Sequence, residues 1–335
     1  MKPPQKLSMN RREIILAGTM AALTSASRTP AAPEPGDSVI ELWPGGAPGG
    51  DKVTVKEEIV ERLPDGPLRD RFVQHVTRPL LTLFKPRTAY NGITLLIVPG
   101  GGYVRVVIDK EGVEAAEWFT QRGFAAAVLR YRLPADGWAN GPDAPVQDAM
   151  RAMRLLRANA AKHGTPMRSI GVIGFSAGGH LCARLLTEPG ITYARRDSAD
   201  DLSARPDFGV LMYPVIAMTG RYAHAGSVSQ LLAAGHGSGS ESELGSPVNP
   251  DGFAPHFHVG RNTPPTMLVH AADDTSVPLE NSLLMYDALR KAGVRSELHA
   301  FDSGGHGFGL RSVAGKDVAA WPTLVQNWAT NNATP

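Results

Sequence analysis

The chain has 335 residues, a formal net charge of +2, 42% apolar and 20% charged residues, and a single Cys. The length suits one large domain or two small ones, and the apolar share supports a sizeable core and excludes wholesale disorder. One Cys excludes an internal disulfide and any paired-Cys metal motif, the near-zero charge argues against nucleic acid as the main partner, and no run of about 20 apolar residues exists to span a membrane.

Residues 1–26 read as an export signal. Lys2, Lys6, Arg11 and Arg12 form a basic start, Ile14 to Leu23 is a short, weakly apolar stretch, and Thr24 and Ala26 have the spacing for cleavage after Ala26. The apolar stretch is too short to cross a bilayer. Arg11–Arg12, between Met9–Asn10 and Glu13–Ile14–Ile15–Leu16, resembles a bacterial twin-arginine signal. Removal of residues 1–26 deletes four basic charges and one acidic charge and leaves a net charge of −1, so the basic balance belongs to export. The expected location is periplasmic or secreted. Residues 27–40, with a Pro-rich stretch from Ala31 to Asp37, read as a linker, and residues 41–335 as one domain.

Within that domain, strand and helix patterns alternate, the signature of an α/β sheet. Leu80 to Phe84 and Ile93 to Val98 are apolar runs cut off by Pro86 and by Pro99–Gly100–Gly101–Gly102. Glu111 to Arg122 has helical spacing and stops at Gly123. Phe124 to Leu133 predicts a strand, and Asp143 to His163 a long amphipathic helix with Pro145 near its start. Ile170 to Phe175 predicts a buried strand, and Ala177 to Thr187 a helix that follows almost without a loop. Phe208 to Tyr213, Thr266 to His270 and Ser296 to Phe301 predict three more strands. Leu279 to Ala292 and Val318 to Ala329 predict the last helices. From about 215 to 264 the alternation fails: 235–245 is rich in Gly and Ser, and four prolines punctuate the rest. An insertion of this kind is either a small cap over a pocket or a plain surface loop.

Gly174–Phe175–Ser176–Ala177–Gly178 is a G-x-S-x-G sequence between an apolar strand and a helix, the place of a nucleophile elbow. Ser176 would project above the sheet at a helix N-terminus, where free N–H groups and the helix dipole favour a developing oxyanion. The Gly-rich turn after the strand ending at Val98 can aim backbone N–H groups at the same point. The expected oxyanion hole combines the Ala177 N–H with those of Gly101 and Gly102. A phosphate loop is excluded by the lack of G-x-G-x-x-G or a following Lys.

In such an arrangement the acid and then the histidine follow the serine along the chain. The strand at Thr266 to His270 runs into Asp273–Asp274, and Asp274-x-x-Val277–Pro278 has the register of a triad acid loop, with Asp273 as the alternative. His306 lies between Gly305 and Gly307 after the last strand, in a short flexible loop able to reach serine and acid together. His180, His270, His256 and His258 carry blander readings as structural or loop residues, and Cys182 reads as core. The set Ser176, Asp274 and His306 fits acyl transfer through an acyl-enzyme, with no metal and no organic cofactor needed.

These residues carry a resemblance. PGGGY (99–103), DKEG (109–112), LRYRLP (129–134), QDAMRAMRLLR (147–157), GFSAGGH (174–180), RPDF (205–208), TPPTMLVHAADDTSVP (263–278) and GGHGFGL (304–310) stand in family order. Through them the chain resembles the α/β-hydrolase superfamily and, more narrowly, bacterial acetyl-xylan-esterase-like enzymes related to feruloyl esterase modules. The resemblance implies an eight-stranded, mostly parallel sheet and hydrolysis of short acyl esters, with a small-molecule or carbohydrate ester as partner. Glu111 lies in a matching segment, either as a support behind the site or as an ordinary helix-start acid. The rival readings are a serine peptidase of prolyl-oligopeptidase type, which usually carries a large propeller domain for which this chain has no room, and an inactive α/β-hydrolase used for binding. No carboxylate pair of the kind glycosidic cleavage needs stands out.

Overall fold

Each apolar run bounded by Gly or Pro forms a strand, and each stretch of helical periodicity forms a helix. The structure, a computed structural model, describes residues 36–139, 141–162, 167–233 and 249–333. Its strands are β1 (Ser38–Glu41), β2 (Glu58–Glu61), β3 (Arg71–Gln74), β4 (Leu80–Phe84), β5 (Ile93–Val98), β6 (Ala125–Arg130), β7 (Ser169–Phe175), β8 (Phe208–Met212), β9 (Thr266–Ala271) and β10 (Ser296–Phe301). Its α-helices are α1 (Glu114–Thr120), α2 (Ala144–Lys162), α3 (Ala177–Thr187), α4 (Ala225–Ala233), α5 (Glu280–Lys291) and α6 (Trp321–Asn332).

Eight strands form one sheet in the order β1-β4-β6-β5-β7-β8-β9-β10, and β2 and β3 pair separately. β4 is antiparallel to both its neighbours, and all pairs from β6 to β10 are parallel. This is the α/β sheet that the alternating pattern predicts, with the eight strands and mostly parallel pairing that the resemblance implies. From β5 the chain steps out to β6, then returns to the other side of β5 as β7. Right-handed crossovers taken in opposite directions put their helices on opposite faces and open a crevice at the carboxyl ends of the strands.

Two cores follow. On one face, Phe119 of α1 and Trp321 and Val325 of α6 pack with Leu95, Ile97 and Phe175. On the other, Met153 of α2, Leu181 of α3 and Met285 of α5 pack with Leu96, Val98 and Val172. Neighbouring residues of β5 thus serve opposite cores, as a period of two requires. A strand buried on both faces has no polar side to show, so β5, β7 and β8 read as near-continuous apolar runs.

Three regions depart from expectation. Residues 38–40, read from composition as the end of a linker, belong to β1, which pairs with β4 in the register Ser38↔Leu83 to Glu41↔Leu80. A strand of four residues is too short to show a period, and β2 and β3, of the same length, carry no clearer signal. The helix expected from Glu111 is preceded by a π-turn at Asp109–Val113, which turns Asp109 and Glu111 inward, so that both are buried. The stretch 215–264 is partly structured: it holds α4 and short 3₁₀ turns at Gly220–Tyr222, Pro250–Phe253 and Pro255–Phe257. Buried Asn281 of α5 anchors its start, accepting from the Ile216 and Ala217 N–H groups and donating to the Tyr222 carbonyl. The export signal at 1–26, the linker up to residue 35 and the Gly/Ser-rich segment 235–245 lie outside the described residues. Among the described residues no helix is long and apolar enough to cross a membrane.

Candidate active site

β7 ends at Phe175 and α3 begins at Ala177, so Ser176 alone makes the turn. Its backbone sits at φ 53°, ψ −117°, a region that residues with a Cβ rarely occupy. Surrounding hydrogen bonds hold it there. The Ser176 N–H donates to the Met212 carbonyl at 2.9 Å, and its own carbonyl accepts from the N–H groups of His180 and Val215. α3 can abut the turn after β5 only through Gly178, where a Cβ would fall 2.2 Å from the Val98 oxygen.

The loops after β9 and β10 bring two more groups to this point. Ser176 Oγ lies 2.9 Å from His306 Nε2, and His306 Nδ1 lies 2.7 Å from Asp274 Oδ2. The other Asp274 oxygen accepts the Ser276 and Val277 N–H groups, each at 2.9 Å. Burial opposes charge on Asp274, but donors from His270, His306 and the Val277 backbone hold its pKa well below the usual carboxylate range. An ionised Asp274 requires the His306 proton to sit on Nδ1, which leaves Nε2 free to accept from Ser176. Asp273 does a different job: its Oδ1 accepts the N–H groups of Gly304 and Gly305 at 2.8 and 2.7 Å and fixes the loop that carries His306.

The Gly-rich loop after β5 is equally constrained. Gly101 has φ +136°, and a Cβ there would fall 2.1 Å from the Arg105 oxygen, so only Gly fits. The Gly100 N–H donates to Glu111 Oε2 at 2.8 Å, and the Tyr131 hydroxyl donates to the Pro99 carbonyl at 2.8 Å. Gly100 itself lies against Ser176, since a Cβ there would come 2.9 Å from that of Ser176. The N–H groups of Gly101, Gly102 and Ala177 have no acceptor among the described residues. Open donors beside a serine hydroxyl suit an oxygen that gains charge during reaction.

Several residues that complete the site carry weak or no sequence signal. Tyr213, at the end of β8, donates to Glu111 Oε1 at 3.0 Å and packs its ring edge-on against His306, with centroids 5.2 Å apart. Glu111 therefore ties the Gly-rich loop to the floor under His306. His180, one turn along α3 from Ser176, is fully buried between the Tyr103 hydroxyl and the Phe253 carbonyl, both at 2.7 Å. Burial, helped by nearby Arg184, pushes its pKa down to about 3, so it is neutral and links the Gly-rich loop to the insertion. His224, in the insertion, reaches the Gly102 side of the loop. His270 is bonded to Ser282 and the Val277 carbonyl. His256 packs on Phe257, and His258 Nε2 donates to the Gly252 carbonyl. Cys182 is buried in the core, which pushes its thiol pKa up. No group of three His, Cys, Asp or Glu side chains placed to hold a metal occurs among the described residues.

The chain is similar to known proteins in sequence and in fold. A family profile described as BD-FAE matches residues 81–196, and one described as prolyl oligopeptidase family matches residues 208–332. The chain is 36% identical over 213 residues to endo-1,4-beta-xylanase B of Butyrivibrio fibrisolvens, covering 64% of this chain and 32% of that protein. It is 32% identical over 221 residues to the acetylxylan esterase of Xylanibacter ruminicola, covering 66% of this chain and 42% of that protein. It thus spans less than half the length of these two curated relatives. The crystal structure of an acetyl ester-xyloside bifunctional hydrolase from Caldicellulosiruptor lactoaceticus is 34% identical, with a TM-score of 0.65 over 89% of this chain and 97% of that one. Sheet order, elbow and similarity over nearly the whole of that enzyme agree, and the chain belongs to the α/β-hydrolase superfamily, in its BD-FAE-like, acetylxylan-esterase-like branch of ester hydrolases.

Proposed function

We propose that this chain is a serine hydrolase of short-chain carboxylic esters, acting on acetyl groups carried by carbohydrate. The observation that carries the reading is the unbroken line from Ser176 Oγ, on a serine held in a strained turn, through His306 to Asp274, at 2.9 and 2.7 Å. In the first half-reaction His306 Nε2 takes the Ser176 proton as Oγ bonds to the ester carbonyl carbon. The N–H groups of Ala177, Gly101 and Gly102 receive the oxyanion, each such donor being worth roughly 3–4 kcal/mol. The tetrahedral species then expels the alcohol, which takes its proton from His306. Water repeats the sequence on the acyl-enzyme: His306 accepts its proton, the acid leaves, and Ser176 regains its hydrogen. Asp274 stays ionised throughout and stabilises the imidazolium.

The carbohydrate part of the reading rests on the acetylxylan esterase and the acetyl ester-xyloside hydrolase among the similar proteins. Export through the signal read in residues 1–26 would place such an enzyme beside polymeric substrate. Glycosidic cleavage needs two carboxyl groups flanking the bond. Asp274 is engaged by His306 and Glu111 by Gly100 and Tyr213, so these two do not make such a pair, and the reading is of the ester bond.

The test is acetate release from acetylated xylan and turnover of a nitrophenyl ester series, with Ser176→Ala beside the unaltered protein. Release from both, falling by about 10⁶ in kcat for Ser176→Ala, is expected. Ester turnover without release from xylan would retain the mechanism and remove the polymer. A peptidase reading has one specific support, the prolyl oligopeptidase profile over residues 208–332, the part that holds Asp274 and His306. Cleavage of a prolyl amide faster than of an acetyl ester would favour it.

A further inference from the structure

The reaction above leaves one side chain at the rim of the site unused. His224 directly precedes α4, and its carbonyl accepts the Val228 N–H. Its Nδ1 accepts the Ser227 N–H at 3.2 Å and lies 2.8 Å from Ser227 Oγ, so the ring caps the helix. Gly226 lies under the ring, since a Cβ there would come 3.3 Å from His224 Cε1. Ser227 is fully buried, and the ring is pinned on one edge.

A ring nitrogen that accepts a backbone N–H carries no proton, so neutral His224 holds its proton on Nε2. Burial, and then the neighbouring His306 ring, lower its pKa and favour the neutral form. Nε2 has no partner among the described residues, and the ring is half-exposed. The ring stands beside the Gly-rich loop, with Cε1 3.9 Å from the place a Cβ on Gly102 would occupy, and close enough to His306 and Asp274 for both to act on it electrostatically. This is a donor fixed in direction and left open.

The oxyanion already has the N–H groups of Ala177, Gly101 and Gly102. The alcohol, in contrast, must lie near His306 Nε2, which protonates it, and near that group the insertion offers His224. We propose that His224 Nε2–H donates a hydrogen bond to a hydroxyl oxygen on the alcohol part of the substrate, beside the ester, and so selects esters of polyhydroxylated alcohols over esters of simple ones. The inference rests on the esterase reading and adds the residue that recognises the alcohol.

The decisive variant is His224→Asn. Asn is a preferred helix cap and keeps an acceptor for the Ser227 N–H, but its shorter side chain withdraws the outer donor. The readout is the selectivity ratio: kcat/KM on a monoacetylated methyl xyloside with a free neighbouring hydroxyl, divided by kcat/KM on nitrophenyl acetate. A fall of about tenfold in this ratio is expected, the size of one lost hydrogen bond. A ratio within about twofold of the unaltered protein, including an equal loss on both esters, would overturn the proposal, because a structural role or an oxyanion role moves both substrates together. A substrate-side experiment keeps the question answerable if the variant does not fold. The unaltered protein should lose the same tenfold on the deoxy analogue lacking that hydroxyl, and no loss there would also overturn the proposal. Absence of Ser176-dependent turnover of nitrophenyl acetate by the unaltered protein would instead remove the esterase reading, and this one with it.

Discussion

Two regions of this molecule bury charged and polar groups, and they treat them in opposite ways. Between β6 and α2, the side chains of Arg132 and Asp148 are both fully buried. Arg132 Nε donates to Asp148, Nη1 to the Pro48 carbonyl at 2.7 Å and Nη2 to the Ala144 carbonyl at 3.1 Å. Asp148 also accepts the Arg132 N–H at 2.8 Å and Trp43 Nε1 at 2.6 Å. The Asp carboxylate and the bonded Arg nitrogens meet protein partners. At the carboxyl ends of β5 and β7, by contrast, the N–H groups of Gly101, Gly102 and Ala177 and the Nε2–H of His224 lack acceptors among the described residues. Burying charge is costly unless it is paired and hydrogen-bonded, so a saturated cluster can only hold the fold. Groups left open beside the Ser176 hydroxyl are stabilised only when something enters.

That contrast can be broken at either end. The largest effect is expected at the open site: Asp274→Asn removes the charge that sets the His306 tautomer and should lower kcat on nitrophenyl acetate by about 10⁴. Steady-state kinetics that drop less than tenfold would show that His306 is oriented by something else. At the saturated cluster, Asp148→Ala leaves Arg132 buried and uncompensated and should cost about 3–5 kcal/mol of stability, read by urea unfolding. The kcat per folded molecule should stay near that of the unaltered protein; a selective loss of kcat would make the cluster part of the site.

A smaller effect distinguishes the clamp at His180, which belongs to neither extreme. Its pKa is lowered in the folded protein, from the usual 6.5 to about 3, because burial and then Arg184 disfavour the charged ring. Between those values the unfolded chain binds a proton that the folded one does not. The His180 contribution is therefore fully present above pH 6.5 and is lost as pH falls toward about 3, with a slope of at most about 1.4 kcal/mol per pH unit. Urea midpoints across that window should fall more steeply for the unaltered protein than for His180→Gln, and equal slopes would sink the assignment.

Much of the fold was legible because its central strands are buried on both faces and its helices are amphipathic, so period and Gly/Pro punctuation mark their limits. β1, β2 and β3 escaped because four residues at an edge make no period, and α4 because its surroundings are rich in Gly, Ser and Pro. At the site, Ser176, Asp274 and His306 could be singled out from loop position and chain order, and they meet within hydrogen-bond distance. Asp273 was read as the alternative acid, and its partners proved to be the backbone of the neighbouring loop. Tyr213, His180 and His224 could not be singled out, since nothing local distinguishes a Tyr after a strand or a His on a helix.

Local chemistry in the sequence thus determined the alternation of strand and helix, the sharp turn at Ser176 and the glycines that permit it. Those depend on neighbours within a few residues, where backbone sterics and apolar spacing act. Only the tertiary structure decided which side chains share a proton or an acceptor. Glu111 with Tyr213 and His180 with Phe253 are separated by 102 and 73 positions along the chain. Hydrogen bonds and burial depend on proximity in space, and for these pairs proximity is set by the sheet order and the return of the chain past β5.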